Sequence, residues 1–255
     1  MTTLCTRVSP TGMLPCALSP PVEDAVLYEL RTYDVMPGKQ PALLDRFGSF
    51  TSKKWVEYGI RLVGFWTPDV GVSNNQIVYM WAWESFEERE AKMGKWQSSP
   101  ERAAKWAKTE KDGQLVKRVN NTLLEPHAFS PMETGEPYGP SIEGRQPYMF
   151  ELRTYEAVPG RLGDLVRRFS DHTVHYFKKH GYRQVAYWKP VIGPSNQLLI
   201  YMLAWESYDE RNRCNEAFQK DPEKEKAFDA SLADGPILER AENIVLKPTS
   251  FSPMK

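Results

Sequence analysis

Residues 28–33 read Tyr-Glu-Leu-Arg-Thr-Tyr, and residues 150–155 read Phe-Glu-Leu-Arg-Thr-Tyr. A Pro-Gly pair follows each stretch, at residues 37–38 and 159–160, so the two copies lie 122 residues apart. The same offset holds without a gap through the Ala-Trp-Glu-Ser and Phe-Ser-Pro-Met stretches of each copy. A period of this length is too long for a solenoid repeat and suits a small domain. The chain is therefore predicted to be two fused copies of one domain.

The overall charge is balanced, with 33 basic and 33 acidic residues among 255. This neutrality gives no electrostatic basis for binding nucleic acid or an anionic membrane. No uninterrupted apolar stretch approaches the length that a bilayer span requires. We expect a soluble protein with no nucleic-acid partner and no membrane span.

Three scattered cysteines, Cys5, Cys16 and Cys214, form neither a CxxC pair nor a metal-type spacing. Such sparse usage favours a reducing compartment, which we take to be the cytoplasm. Residues 1–25 precede the first repeat, and the first part of this segment has Arg7 but no acidic residue. A disordered tail is the favoured interpretation, and a mitochondrial transit peptide is the alternative.

Each repeat has the pattern strand, helix, strand, strand, helix, strand. Alternating apolar residues predict the first strand, apolar residues at helical spacing predict the first helix, and Ser85 with Glu88 predicts a capping box for the second helix. This order is that of a ferredoxin-like α+β sandwich, whose sheet carries helices on one face only. Two fused βαββαβ domains can cover each other's bare faces, sheet against sheet, as a pseudo-dimeric α/β barrel.

The predicted boundaries follow from the repeat and from composition. The first repeat spans residues 26–132 and the second spans residues 148–255. Residues 133–147 are rich in Pro, Gly and Ser, which is typical of a linker.

Both copies resemble the NIPSNAP family. The resemblance rests on the ordered motifs Glu-x-Arg-x-Tyr-x-x-x-Pro-Gly, Gly-x-Trp, Gly-x-x-Asn and Phe-Ser-Pro, with a Ser-capped helix between the last two. It implies the dimeric α/β barrel fold, which is shared with small cofactor-independent monooxygenases, polyketide cyclases and haem-degrading enzymes. It implies no settled activity, because the domain is mostly described by binding and cellular roles.

The Glu-x-Arg-x-Tyr motif supplies the first candidate site. Residues two apart in a strand share a face, so we expect the Leu30 side to pack on the helices and the motif to face a cavity between the sheets. Glu and Arg could pair there as a structural element, or Arg and Tyr could clamp a carboxylate, enol or phenol. The motif residues are Glu29, Arg31 and Tyr33 with their copies Glu151, Arg153 and Tyr155.

Large aromatic residues on the second and third strands form the second candidate group. Flat side chains beside a few polar groups suit a pocket for an aromatic or polyketide-like ligand. The same residues could equally fill a closed core. The group comprises Trp66, Tyr79 and Trp83 with their copies Trp188, Tyr201 and Trp205.

Histidine breaks the symmetry of the repeats, because His172, His175 and His180 all lie on the first helix of the second copy. His172 and His175 are three residues apart, so they share a helical face, and either could act as a general base. A third metal ligand is missing at local spacing, so we predict no metal site and no cofactor. His180 is interpreted as a capping or exposed residue.

Three functional hypotheses follow. The first is a protein that binds a hydrophobic or aromatic small molecule between its sheets and acts as a cofactor-independent monooxygenase, cyclase or isomerase. The second is a non-enzymatic adaptor of the mitochondrial or trafficking type, as the family resemblance implies. The third is a protein whose pocket is only a packed core. A homo-oligomer beyond the internal pair remains an open alternative.

Overall fold

The computed structural model describes residues 27–71, 73–132 and 147–255. The predicted N-terminal tail and nearly all of the predicted linker lie outside the described residues. In the described part the chain alternates strands and helices in the same order in both repeats, as the sequence predicted. The mixed α/β fold with two repeated units is thus confirmed.

The helices and strands of the two repeats have matching bounds. In each repeat a five-residue π-helical segment lies inside the first helix. The first repeat contains β1 (Leu27–Val35), α1 (Gln40–Arg46), a π-helical segment (Phe47–Thr51), α2 (Ser52–Glu57), β2 (Arg61–Val70), β3 (Gln76–Trp83), α3 (Phe86–Gln97), α4 (Pro100–Thr109) and β4 (Val116–Pro126). The second contains β5 (Met149–Ala157), α5 (Leu162–Arg168), a π-helical segment (Phe169–Thr173), α6 (Val174–Lys179), β6 (Arg183–Ile192), β7 (Leu198–Trp205), α7 (Tyr208–Gln219), α8 (Pro222–Ser231) and β8 (Leu238–Pro248).

The eight strands form one closed antiparallel barrel in the order β1-β3-β2-β8-β5-β7-β6-β4. Each repeat contributes four adjacent strands, and the repeats join edge to edge through β2 with β8 and β4 with β6. Closure leaves no free sheet edge in the barrel, so each repeat completes the hydrogen bonding of the other.

The two faces of β1 are reversed relative to the sequence prediction. Tyr28 and Leu30 point into the barrel and pack with Phe150 and Leu152 of the second repeat. The opposite face, with Tyr33, packs under the helices. The prediction that the Glu-x-Arg-x-Tyr motif faces a space between the sheets is therefore wrong in both copies. The residues concerned are Glu29, Arg31, Tyr33, Glu151, Arg153 and Tyr155. Both faces of the strand are buried, so alternation identified which residues share a face without identifying the inner one.

Side chains from both repeats fill the barrel interior. The Tyr28 ring lies 5.6 Å from the Trp188 ring, and the Trp66 ring lies 5.8 Å from Phe150. These four side chains have no solvent exposure. For Trp66 and Trp188 the core-filling interpretation of the sequence fits better than a ligand pocket between the sheets.

The helices lie outside the barrel, each set over its own four strands. The predicted capping box is confirmed, since the Ser85 hydroxyl accepts a hydrogen bond from the Glu88 N–H and Glu88 accepts one from the Glu84 N–H. The same geometry recurs at Ser207 and Glu210.

Candidate functional site

The two copies of the Glu-x-Arg-x-Tyr motif each form a charged network between sheet and helix. The Glu151 carboxylate accepts hydrogen bonds from Arg211 on α7 at 2.8 and 3.0 Å, from Arg153 at 3.0 Å and from the Trp205 indole at 3.0 Å. Glu151 has no solvent exposure. Burial would raise the pKa of Glu151, but the bonds to Arg211 and Arg153 outweigh it and hold that pKa below its usual value.

The first repeat repeats this network with Glu29 as the acceptor. Arg89 on α3 binds it at 2.8 and 3.0 Å, Arg31 at 3.0 Å and the Trp83 indole at 3.3 Å. The structural interpretation of the Glu and Arg residues is therefore favoured. Its partner arginine was missed in the sequence, although Arg89 recurs as Arg211 at the repeat offset.

Tyrosine hydroxyls extend each network along the outer face of the sheet. Arg153 donates to the Tyr201 hydroxyl at 3.3 Å and to the Tyr155 hydroxyl at 3.5 Å. Burial raises the pKa of Tyr201 well above its usual value, so its phenol stays protonated. In the first repeat Tyr79 donates to Tyr33 at 3.0 Å. The aromatic residues of the third strand in each repeat therefore lie in the layer under the helices rather than in a space between sheets. They are Tyr79, Trp83, Tyr201 and Trp205.

A cavity of about 210 Å³ lies in this layer in the second repeat, between the sheet and the helices. We call it the second-repeat pocket. Its wall carries three basic side chains and no acidic one. Of the predicted ligand-binding residues it includes Arg153 and Tyr155. Its lining is Arg153, Tyr155, Arg168, Phe169, Thr173, Phe177, Tyr182, Asn215, Phe218, Gln219, Lys224, Phe228 and Leu238.

The first repeat has larger side chains at the matching positions. Three tryptophans and a methionine there correspond to three phenylalanines and an asparagine in the second repeat. The Trp96 and Trp106 rings lie 6.0 Å apart, and the Arg46 guanidinium lies 4.1 Å from the Trp106 ring. The pairs are Trp55 and Phe177, Trp96 and Phe218, Trp106 and Phe228, and Met93 and Asn215. This loss of volume accounts for a pocket in the second repeat.

The three histidines do not converge. His172 lies on the wall of a neighbouring cleft of about 250 Å³, which shares Arg168 with the second-repeat pocket. His175 is exposed, and its ring contacts Tyr176. His180 is hydrogen-bonded to Asp221 at 2.6 Å. The His180 ring also lies 6.2 Å from the ring of Phe218, which lines the pocket. The catalytic role of His172 and His175 stays a prediction.

Within residues 27–71, 73–132 and 147–255, no three His, Cys, Asp or Glu side chains group in a way that could hold a metal ion. In the same ranges no helix is long and apolar enough to cross a membrane.

Three side chains of the second-repeat pocket were missed by reasoning from motifs: Arg168, Lys224 and Asn215. A signal for them existed in the repeat itself. Aligning the copies shows that Glu110, the partner of Arg46 at 2.6 Å, is replaced by Leu232, so the matching Arg168 lacks that partner.

Comparison with known proteins agrees with the repeat. The NIPSNAP family model matches twice, at residues 28–131 and 150–253. The chain is 27% identical to NipSnap homolog 3B of Mus musculus over 100% of this chain and 96% of that protein. It is 26% identical to NipSnap homolog 3A of Homo sapiens over 94% of this chain and 90% of that protein.

Among solved structures, an anthrone oxidase-like protein superposes with a TM-score of 0.56 at 15% identity. The match covers 89% of this chain and 92% of that one. At this identity the likeness shows the fold, an α/β barrel that spans both repeats. The two matches of the family model, the full-length relatives and the shared motifs agree: the chain belongs to the NIPSNAP family, with one family domain in each repeat.

Proposed function

We propose that the chain binds a small aromatic molecule in the second-repeat pocket. The observation that carries this proposal is a cavity with aromatic walls, formed by Phe177, Phe218 and Phe228, at a position where the first repeat has tryptophans. The sequence analysis predicted a ligand between two sheets. Because side chains fill the barrel interior, we propose instead that the ligand binds in the outer layer, between the sheet and the helices.

The volume of the pocket limits the ligand. An engineered apolar cavity of about 150 Å³ holds benzene, so about 210 Å³ suits a single substituted ring. Aromatic walls favour a flat ligand, and offset or edge-on ring contacts add to its burial. A ring with one or two polar substituents is the class of ligand that fits.

The polar groups at the sheet end of the pocket support chemistry on an oxygen substituent. Arg153 and the Tyr155 hydroxyl can both donate hydrogen bonds to a phenol or enol oxygen, and Arg153 stabilises the anion that forms when a proton leaves. This supports cofactor-independent oxygenation, cyclisation or isomerisation of an enol or phenol. The anthrone oxidase-like protein of the same fold is consistent with such chemistry. The adaptor role remains the alternative prediction.

His172 is the proposed proton acceptor of the second half. It lies on the adjoining cleft, with Arg168 between the two spaces, whereas His175 is exposed to solvent. We therefore assign the base role to His172 alone of the two predicted histidines.

The experiment fills the pocket with the side chain that the first repeat uses. Phe228→Trp should weaken binding of 4-hydroxyacetophenone at least tenfold by isothermal titration calorimetry, because the larger ring occupies the cavity. The matched control is Trp106→Phe, which changes the corresponding position of the first repeat and should leave binding unchanged. Equal affinity of the parent and Phe228→Trp would remove the pocket assignment.

A second arm of the same experiment concerns catalysis. Aerobic incubation of the protein with a panel of one-ring phenols and enols, followed by mass spectrometry, reports any conversion. His172→Ala should reduce the rate by a factor of about 100 or more with little effect on binding, since general-base catalysis contributes about that much. A rate that is unaffected by His172→Ala would exclude this base.

A further inference from the structure

The two repeats differ in charge in the layer between sheet and helices. At matching positions, the first repeat sets four cations against two carboxylates, and the second sets four cations against one. The first set is Arg31, Arg46, Arg89 and Arg102 with Glu29 and Glu110; the second is Arg153, Arg168, Arg211 and Lys224 with Glu151. Leu232 occupies the position of Glu110.

Arg168 is the cation that loses its partner. Its counterpart Arg46 bonds Glu110 at 2.6 Å and Thr109 at 3.2 Å. In the part of the chain that the structure describes, no carboxylate pairs with Arg168. Its buried Nε has no hydrogen-bond partner, as is also true of the Arg46 Nε, so the missing carboxylate is what distinguishes the two arginines. The Arg168 guanidinium lies 4.8 Å from the Phe228 ring, and burial lowers its pKa. A cation–π contact offsets only part of the cost of burying a charge.

Lys224 is the second cation without an acidic partner among the described residues. Its side chain is 7% exposed, and its Nζ lies 5.0 Å from the Phe218 ring and 5.4 Å from the Phe228 ring. Lysine is rarely this buried without a counter-ion. Arg168 and Lys224 both line the second-repeat pocket and both contact the Phe228 ring, so two uncompensated cations flank one aromatic wall.

We propose that the second-repeat pocket selects an anionic ligand, an aromatic carboxylate whose ring lies among the phenylalanines and whose carboxylate supplies the counter-ion for Arg168 and Lys224. The charge of Arg153 is already balanced by Glu151 at 3.0 Å, so Arg153 is left to bind an oxygen substituent of the ring, and Arg168 and Lys224 bind the carboxylate. This inference rests on the proposed function, because it requires a pocket that accepts a ring.

The experiment restores the missing carboxylate. Leu232 is 39% exposed and is the C-cap residue directly after α8, as Glu110 is directly after α4, so Leu232→Glu should fold normally and pair with Arg168. Leu232→Gln is the matched control of equal size without charge. The probes are benzoate, 4-hydroxybenzoate and 2-naphthoate, each with its neutral carboxamide, titrated calorimetrically into the full chain. Circular dichroism of each variant confirms that it is folded.

We expect the parent to bind at least one acid tenfold or more tightly than its amide. Leu232→Glu and Arg168→Gln should each weaken acid binding at least tenfold and change amide binding less than twofold, while Leu232→Gln should retain acid binding. Equal affinity for acid and amide, or acid binding unchanged in Leu232→Glu, overturns the charge assignment and leaves the proposed function standing. If the parent binds none of the acids and none of the amides, both proposals fail.

Discussion

Glu151 shows at the scale of single residues how a charge is tolerated in a buried layer. Its carboxylate accepts bonds from two arginines and one indole, and the second arginine, Arg211, lies 60 residues away on α7. Arg211 uses two nitrogens on the two oxygens, the fork geometry that makes such pairs strong. The motif residue and the helix arginine therefore act as one unit that fixes the helix to the sheet.

Replacing this carboxylate should be costly. We expect Glu151→Gln to lower the free energy of unfolding by about 3 to 5 kcal/mol, because it leaves the buried Arg153 and the partly buried Arg211 without their acid. Chemical denaturation at pH 7 measures the loss. The control is Glu125→Gln, which breaks the exposed pair with Lys189 at 3.2 Å and should cost at most about 1 kcal/mol.

The same variant should have a defined pH dependence. The folded state holds the pKa of Glu151 below its ordinary value of 4.5. The ionised carboxylate therefore contributes fully to the free energy of unfolding above pH 4.5, and this contribution is lost as the pH falls through the lower pKa of the folded state. The difference in unfolding free energy between parent and Glu151→Gln should therefore shrink below about pH 4.5. A difference that grows on acidification would contradict the pairing.

At the scale of elements, the sequence predicted one regular first helix in each repeat, and the structure has a π-helical segment within it. The Thr51 hydroxyl donates to the Arg46 carbonyl at 3.2 Å, and Thr173 does the same to Arg168. The buried residues Leu43, Phe47, Thr51 and Trp55 are four apart, a spacing that a regular α-helix also allows, so spacing alone could not reveal the π-helical segment. In the second repeat this segment carries His172 and follows Arg168 directly, so it helps to place both.

The capping boxes are elements that the sequence predicted correctly, and their contribution can be measured. Ser207→Ala should lower the free energy of unfolding by about 1 kcal/mol, because the Glu210 N–H loses its acceptor at the first turn of α7. Ser170→Ala, at an exposed hydroxyl within a helical segment, is the control and should change it by less than about 0.5 kcal/mol. Thermal unfolding of both variants tests this. If Ser207→Ala and Ser170→Ala lower the free energy of unfolding equally, the cap has no stabilising role of its own.

At the scale of the whole molecule, the repeats exchange their C-terminal segments. Phe251 packs 4.8 Å from Phe65 in the first repeat, and the Ser252 hydroxyl accepts the Phe65 N–H at 2.9 Å. The first repeat returns the same contacts to the second, where Ser130 accepts the Tyr187 N–H at 3.0 Å. Each Phe-Ser-Pro segment thus completes the other repeat's layer, in addition to the shared barrel edges.

This exchange predicts the behaviour of an isolated repeat. Residues 27–132 expressed alone should form a homodimer, because a monomer would leave the edges of β2 and β4 unpaired and half of the barrel core exposed. Light scattering coupled to size exclusion gives the mass. The full chain measured in parallel is the control for the assembly of the joined repeats. A stable, folded monomer of the single repeat would contradict the interdependence.

What the sequence determined by itself is the local and periodic part: the duplication, the order of strands and helices, the caps, and which residues of Glu-x-Arg-x-Tyr share a face. These follow from alternation, spacing and turn chemistry within each repeat. Only the tertiary structure decided which face of β1 points into the barrel. Both faces are buried, and an alternating pattern shows which residues share a face without showing which face is the inner one. It also decided where a pocket lies, because that depends on opposing side chains far apart in sequence. Phe228 in place of a tryptophan opens a cavity, and Leu232 in place of a glutamate leaves Arg168 without its acid, only once α8 is packed against α5, α7 and the π-helical segment of the second repeat.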